Sequence, residues 1–178
     1  MTLVSDHMNT VNPGPNQDHP QAAVLPAEQV WDMLKSIDIA MLITQSSDGL
    51  RGRPMSTIPS PEKGLIYALT EAGSSADQDI SDHSTVFLTY QGKGDHVALR
   101  GTATVNRDMA LVKDLWSPGA QIFWPNGPEA HQVVALVIDP GHADVWDGHG
   151  ALRGIASIVR GMVSGQTPDL GARGVVNL

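Results

Sequence analysis

The chain contains no cysteine, which excludes disulfides, thiolate nucleophiles and cysteine-ligated zinc. Aromatic residues are scarce. Two phenylalanines, two tyrosines and four tryptophans serve 178 residues, so each tryptophan is a candidate for core or site. Positive charge is also in short supply: 11 lysines and arginines face 19 aspartates and glutamates, for a formal net charge of −8. That balance argues against a nucleic-acid partner, because phosphate backbones are held by clustered cations. No apolar run approaches the length that spans a bilayer, and no lysine or arginine precedes Lys35. The amino-terminal region therefore lacks the cationic stretch of a secretory signal. The expectation is a cytoplasmic protein without membrane or nucleic-acid partners, long enough for one domain with a real core.

What the chain does have is a series of short apolar segments separated by turn chemistry. Residues 1–25 are rich in Asn, Pro, Gly, Asp and His and read as a mobile tail. Pro26 opens a helix over 26–37, with Val30, Met33, Leu34 and Ile37 on one face and Glu28 in its first turn. Segments 39–44 and 51–57 form a β-hairpin across Ser46-Ser47-Asp48-Gly49. Further strands are expected at 65–70, 85–90 and 96–106, the last bent at Gly101. Helices are expected over 75–81 and 109–116.

Residues 117–130 place Ile122, Phe123 and Trp124 in a Pro- and Gly-rich loop. Such a loop is too apolar for a simple connector and should dock on its own barrel or on a partner. Segment 133–138 reads as a central strand that Asp139-Pro140-Gly141 turns into a last strand, 142–146. A helix is expected over 151–163. The chain thus divides into a tail to residue 25, a domain over 26–164 and a polar carboxy-terminal tail over 165–178. Helices inserted among strands, rather than alternating with them, argue for a mainly β, antiparallel barrel with peripheral helices.

Strand alternation puts Arg51, Arg53, Met55 and Thr57 on one face of the hairpin's second strand. One reading is an edge strand, since Pro54 lacks a ladder N–H and arginines discourage edge pairing. The other is an anion site, because a guanidinium fork matches phosphate oxygens. Ser74 or Ser75 caps the helix that follows, and the same helix start can receive a phosphate. His142, Asp144, Asp147 and His149 are metal-ligating types, but no spacing fixes their geometry, so no metal site is expected.

The order of apolar strand, Asp-Gly corner and Arg53-Pro54-Met55-Ser56 continues in Tyr67-Ala68-Leu69-Thr70 and Leu115-Trp116-Ser117-Pro118. It goes on through Phe123-Trp124-Pro125-Asn126-Gly127-Pro128, Val145-Trp146-Asp147-Gly148 and Thr167-Pro168-Asp169-Leu170-Gly171. In this it resembles the pyridoxamine 5′-phosphate oxidase-like family of FMN-binding split barrels, and within it the general stress protein 26 group. The resemblance covers residues 26 to 178. It implies a Greek-key-like split β-barrel that dimerises with FMN at the subunit interface.

Carried onto this chain, the resemblance implies that Arg53 grips the FMN phosphate and that Met55 and Ser56 lie along the isoalloxazine, flanked by Pro54 and Thr57. Leu69 and Thr70 would touch the flavin from the next strand. Ser74, Ser75 and Trp124 complete the expected set, and Trp146 would approach across the dimer interface. Two departures stand out. Ala76 occupies the place of a phosphate-contacting lysine, with Asp77 beside it, and only Arg153 survives of the residues that hold pyridoxal phosphate. Pyridoxamine 5′-phosphate oxidase activity proper is therefore not expected. The implied function is a flavin-dependent oxidoreductase of the general stress type, acting on an unknown small-molecule substrate or donor. The alternatives are a non-catalytic flavin-binding or flavin-sequestering protein, or a relative using deazaflavin F420 or haem.

Overall fold

The computed structural model describes residues 25–92, 94–146 and 173–178. Helix α1 (Ala27–Ile37) starts after Pro26 and buries Val30, Trp31, Met33 and Leu34 against the sheet. Trp31 is thus a core residue. Strands β1 (Ile39–Ser46) and β2 (Gly49–Ser60) form the hairpin, paired from Ser46↔Gly49 to Ile39↔Ser56. Gly49 has φ 123° at its corner, a conformation that costs a residue without Cβ little.

Strand β3 (Leu65–Glu71) folds back on β2, and helix α2 (Ser75–Asp82) then carries the chain to β4 (Thr85–Gly92). Strand β4 pairs with β1 rather than β3, which is the Greek-key step. Strand β5 (Asp95–Asn106) hairpins with β4. Two short helices, α3 (Met109–Asp114) and α4 (Pro118–Phe123), lead to the long strand β6 (Val133–Trp146). Strand β6 pairs antiparallel with both β5 and β3. This closes a six-strand antiparallel barrel. Strand β7 (Arg173–Asn177) adds to the second half of β6.

Alternation fills the barrel. Ala40, Leu42, Val86, Leu88, Val97 and Leu99 point inward and are fully buried; a Val or Leu side chain buried this way stabilises by roughly 1.5–3 kcal/mol. Tyr90 shares that interior and donates its hydroxyl to Thr57 Oγ1 at 3.3 Å. Burial pushes the Tyr90 phenol up to about 12, with the Thr57 hydrogen bond acting the other way.

The structure corrects the sequence reading in four places. Asp139-Pro140-Gly141 is not a turn between strands but a register shift inside β6, opposite Arg100 and Gly101. Gly101 allows this, because a Cβ there would sit 2.3 Å from the Asp139 carbonyl oxygen. The stretch 117–130 is not all loop: Ser117 accepts from the Ala120 N–H and Pro118 takes the first helical position of α4, where its missing N–H costs nothing. The end of the chain is not wholly a tail, since residues 173–177 form β7. Helix α3 also stops at Asp114, two residues short of the expected end. The helix expected over 151–163 and the tail before residue 25 lie outside the described residues.

Candidate functional site

Strand β2 carries different chemistry on its two faces. Outward, Pro54, Ser56 and Ile58 form one wall of a cavity of about 300 Å³. Leu69 and Thr70 of β3 form the floor, and Ser117, Gly119, Ala120, Phe123 and Trp124 close the far side. Most of this lining is apolar, with the hydroxyls of Ser56, Thr70 and Ser117 as polar points. The walls are firm because α3 and the two tryptophans that flank α4 belong to a second apolar cluster of Val112, Val133 and Ala135, joined by Leu69, Leu115, Trp116 and Trp124. Trp124 is fixed further by its indole N–H, which donates to Glu71 Oε1 at 2.9 Å, and by Trp116, whose ring centre lies 5.9 Å away. An adjoining cavity of about 380 Å³ is lined by Thr70, Glu71, Ser74, Phe123 and Trp124.

Inward and toward the barrel mouth, the same strand offers Arg51 and Arg53. Arg53 Nη2 donates to Asp79 Oδ2 at 2.6 Å and to Thr44 Oγ1 at 2.9 Å. Thr44 Oγ1 in turn donates to the same carboxylate oxygen at 2.7 Å. Arg51 Nη1 stands 3.6 Å from Asp79 Oδ1. Burial pushes the Asp79 carboxyl up, but the hydrogen bonds from Thr44 and Arg53 and the two arginine charges outweigh it and hold the group below the usual aspartate range.

The start of α2 is closed in a similar way. Ser74 Oγ accepts from the Asp77 N–H at 3.2 Å, and Asp77 Oδ2 accepts from the Gly73 N–H at 2.7 Å. Arg107 Nη2 donates to both Asp77 oxygens at 2.7 and 2.9 Å. Burial raises the Asp77 carboxyl, and the Gly73 and Arg107 hydrogen bonds bring it below the usual value. Ala76, just before Asp77 on α2, is buried.

Of the residues expected to hold a cofactor, Pro54, Met55, Ser56, Leu69, Thr70 and Trp124 converge on the one cavity. Ser74 lines its neighbour while sharing a 2.9 Å hydrogen bond with Thr70. The other four lie elsewhere. Arg53 is engaged by Asp79, and Thr57 is buried beside Tyr90, donating to the Asp38 carbonyl at 3.0 Å. Ser75 is exposed on α2. Trp146 ends β6 and lines a separate depression with Thr89, Gln91, His96 and Ala98. Asp147 and His149 are outside the described residues. Sequence reading missed Asp79, Thr44 and Ser117. A signal for Asp79 existed: it adjoins Ile80 on a helix whose Ala76 and Ile80 face the core, while two inward arginines lacked a counter-charge.

A family model described as pyridoxamine 5′-phosphate oxidase like matches residues 26–169. The chain belongs to the pyridoxamine 5′-phosphate oxidase-like family. No curated protein matches the sequence. Among solved structures, this family member is similar to a protein described as a putative general stress protein 26 from Jannaschia sp. CCS1. The TM-score is 0.67 at 22% identity, covering 85% of this chain and 98% of that one. It is also similar to the general stress FMN/FAD binding protein of Xanthomonas citri, with TM-score 0.60 and 25% identity over 68% of this chain and 87% of the other. A pyridoxamine 5′-phosphate oxidase-related, FMN binding protein from Nostoc punctiforme PCC 73102 gives a TM-score of 0.55 at 13% identity, over 74% and 88%. The split-barrel fold expected from the sequence is therefore the fold of this chain.

The flavin that the family suggests can be tested against these residues in two parts. The ring fits: the cavity lies near the low end of the roughly 300–1,000 Å³ typical of ligand pockets and has the dry walls and few polar points such a ring needs. The phosphate of FMN fits less well. Among the described residues, no lysine or arginine lines either cavity, and the nearby arginines already face a carboxylate.

Proposed function

We propose that this chain is a flavin-binding protein that uses FMN as its cofactor and works as a flavin-dependent oxidoreductase in the cytoplasm. The observation that carries this reading is the convergence of Pro54, Met55, Ser56, Leu69, Thr70 and Trp124 on one apolar cavity. In this reading the ring lies between the outer face of β2 and helix α4. Ser56, Thr70 and Ser117 supply its polar contacts, and Trp124, braced by Glu71, excludes water from one side. Arg53, adjacent to Pro54 in β2, is the cation this reading assigns to the phosphate. A bound flavin supplies hydride and electron transfer, while the protein orients the ring and controls access to it. Among the described residues, no His, Lys, Arg or acidic side chain lines the cavity around Ser56, which agrees with a site where the cofactor carries the redox step.

The same reading includes a homodimer. Phe123 and Ile122 are 73% and 80% exposed beside the cavity mouth. Ile39, Met41, Phe87 and Trp146 are also exposed. The first three share the outer face of paired strands β1 and β4. Apolar surface of this extent is normally covered. In this reading the second copy supplies its own Trp146 to the flavin, since Trp146 of the same chain lines a separate depression.

The absorption spectrum of the purified protein, alone and with added flavin, tests the cofactor and separates flavin from deazaflavin or haem. Steady oxidation of a reduced nicotinamide with FMN present supports the oxidoreductase reading. Saturable flavin binding without turnover would leave a flavin-binding or sequestering protein, a reading favoured by the lack of any acid or base among the described residues that line the cavity.

A further inference from the structure

Strand β2 runs from the cavity to the arginine cluster, and helix α2 with its cap runs from the adjoining cavity to the same cluster. Pro54 and Met55 line the cavity while Arg53 beside them turns to Asp79. Ser74 lines the adjoining cavity, and Asp79 follows five residues later, a rise of about 7.5 Å along the helix. The cluster has the parts of an anion receptor: two guanidiniums, the Thr44 hydroxyl, and Arg53 Nη1, which is buried with no hydrogen-bond partner among the described residues. Yet its central acceptor is part of the chain. Asp79 is 6% exposed and takes Nη2 of Arg53, the Thr44 hydroxyl and the approach of Arg51. Asp77 does the same at the helix start, where it accepts the Gly73 N–H and holds Arg107. Each positive group that a ligand phosphate would seek on these elements is already answered by a carboxylate of α2.

We infer that Asp79 is a built-in substitute for the ligand phosphate, and that it makes the cavity select for the neutral flavin ring over the phosphorylated tail. This rests on the flavin reading above and narrows it: riboflavin and FMN become near-equal ligands. A phosphate displacing Asp79 from Arg53 would leave a buried carboxylate without its main partner, which is costly. A phosphate binding beside it meets like charge. The orphaned Nη1 gives a phosphate oxygen one remaining donor, so a slight preference for FMN survives. Replacing Asp79 with asparagine keeps the shape and an acceptor for Thr44 but removes the charge that competes for Arg53.

The experiment measures the affinities of riboflavin and FMN by flavin fluorescence, for the wild type, Asp79→Asn and the double variant Asp79→Asn with Arg53→Gln. In the wild type FMN should bind no more than about five-fold tighter than riboflavin. One freed charge-assisted hydrogen bond should raise that ratio at least about ten-fold in Asp79→Asn. The double variant should return it to near the wild-type value. Inorganic phosphate should weaken FMN, and not riboflavin, in Asp79→Asn alone. An unchanged ratio in a folded Asp79→Asn protein overturns the inference while the flavin reading stands. A wild type that already favours FMN by more than about fifty-fold overturns it even if the variant fails to fold. Failure of either flavin to bind any of the three proteins overturns the flavin reading itself.

Discussion

The two faces of strand β2 differ in how they are completed. The inner face ends in Arg51 and Arg53, and their charge is met within the chain by Asp79 and Thr44. The outer face presents Pro54, Ser56 and Ile58 to a cavity that no part of the described chain fills. One face is a closed structural network, while the other is a recess held open by α4 and by the Trp116–Trp124 pair. Alternation along a strand lets neighbours in sequence take on unrelated tasks. Residues read together as a single cofactor-binding stretch, 53 to 57, therefore divide into two sets, with Met55 reaching both the cavity and the barrel core.

Removing the network should cost far more stability than altering the cavity wall, and this contrast gives the largest expected effect. Arg53→Met leaves Asp79 a poorly compensated buried carboxylate, so it should lose about 3 kcal/mol. Ser56→Ala, three residues along the same strand and exposed, should lose less than about 0.5 kcal/mol. Urea unfolding of both variants measures the difference. Equal losses would erase the distinction between the faces.

A second, somewhat smaller effect concerns pH. The Asp77 and Asp79 carboxyls both lie below their unfolded value, about 3.9 for a free aspartate. A depressed carboxyl contributes stability that is fully present above the unfolded value and is lost as pH falls through the folded one. The wild type should therefore lose stability below about pH 3.9, and Asp79→Asn should flatten that slope. Ser56→Ala should leave it unchanged. Acid titrations followed by circular dichroism would show whether the slope tracks the inner face alone.

The smallest effect sharpens the other side of the comparison. Glu71 accepts from the Trp124 indole at the cavity's edge. Glu71→Ala should release the ring, shift Trp124 emission to longer wavelength and weaken flavin binding by about five-fold, the worth of one hydrogen bond of about 1 kcal/mol. Unchanged emission would mean that packing against Trp116 alone holds the wall.

These contrasts also explain what could be read in the residues beforehand. The hairpin was legible because an apolar run, an Asp-Gly corner and an alternating partner leave few other pairings. The apolar cavity lining was legible through resemblance, and Trp124 through its scarcity. The bulge at Pro140 was not, because Pro and Gly carry the same local signal in a turn and in an irregular strand. What decides between them is β5, which runs past on both sides of Gly101. Strand β7 escaped notice because five residues pair with a partner distant in sequence and carry no period of their own. Asp79 escaped because an acidic residue in a short polar helix usually faces water. Only the inward arginines opposite call for it to be buried.

The claim on which the rest depends is that the outer face of β2 holds a flavin ring. Titration of the wild type and of Ser56→Trp with riboflavin, which has the ring without the phosphate, tests this most directly. Tryptophan is well tolerated at an exposed strand position, so the variant should keep its fold while filling the cavity mouth. The account predicts saturable quenching of flavin fluorescence at one ring per wild-type chain, and none with Ser56→Trp. Equal binding by the two proteins, or none by the wild type, would contradict it.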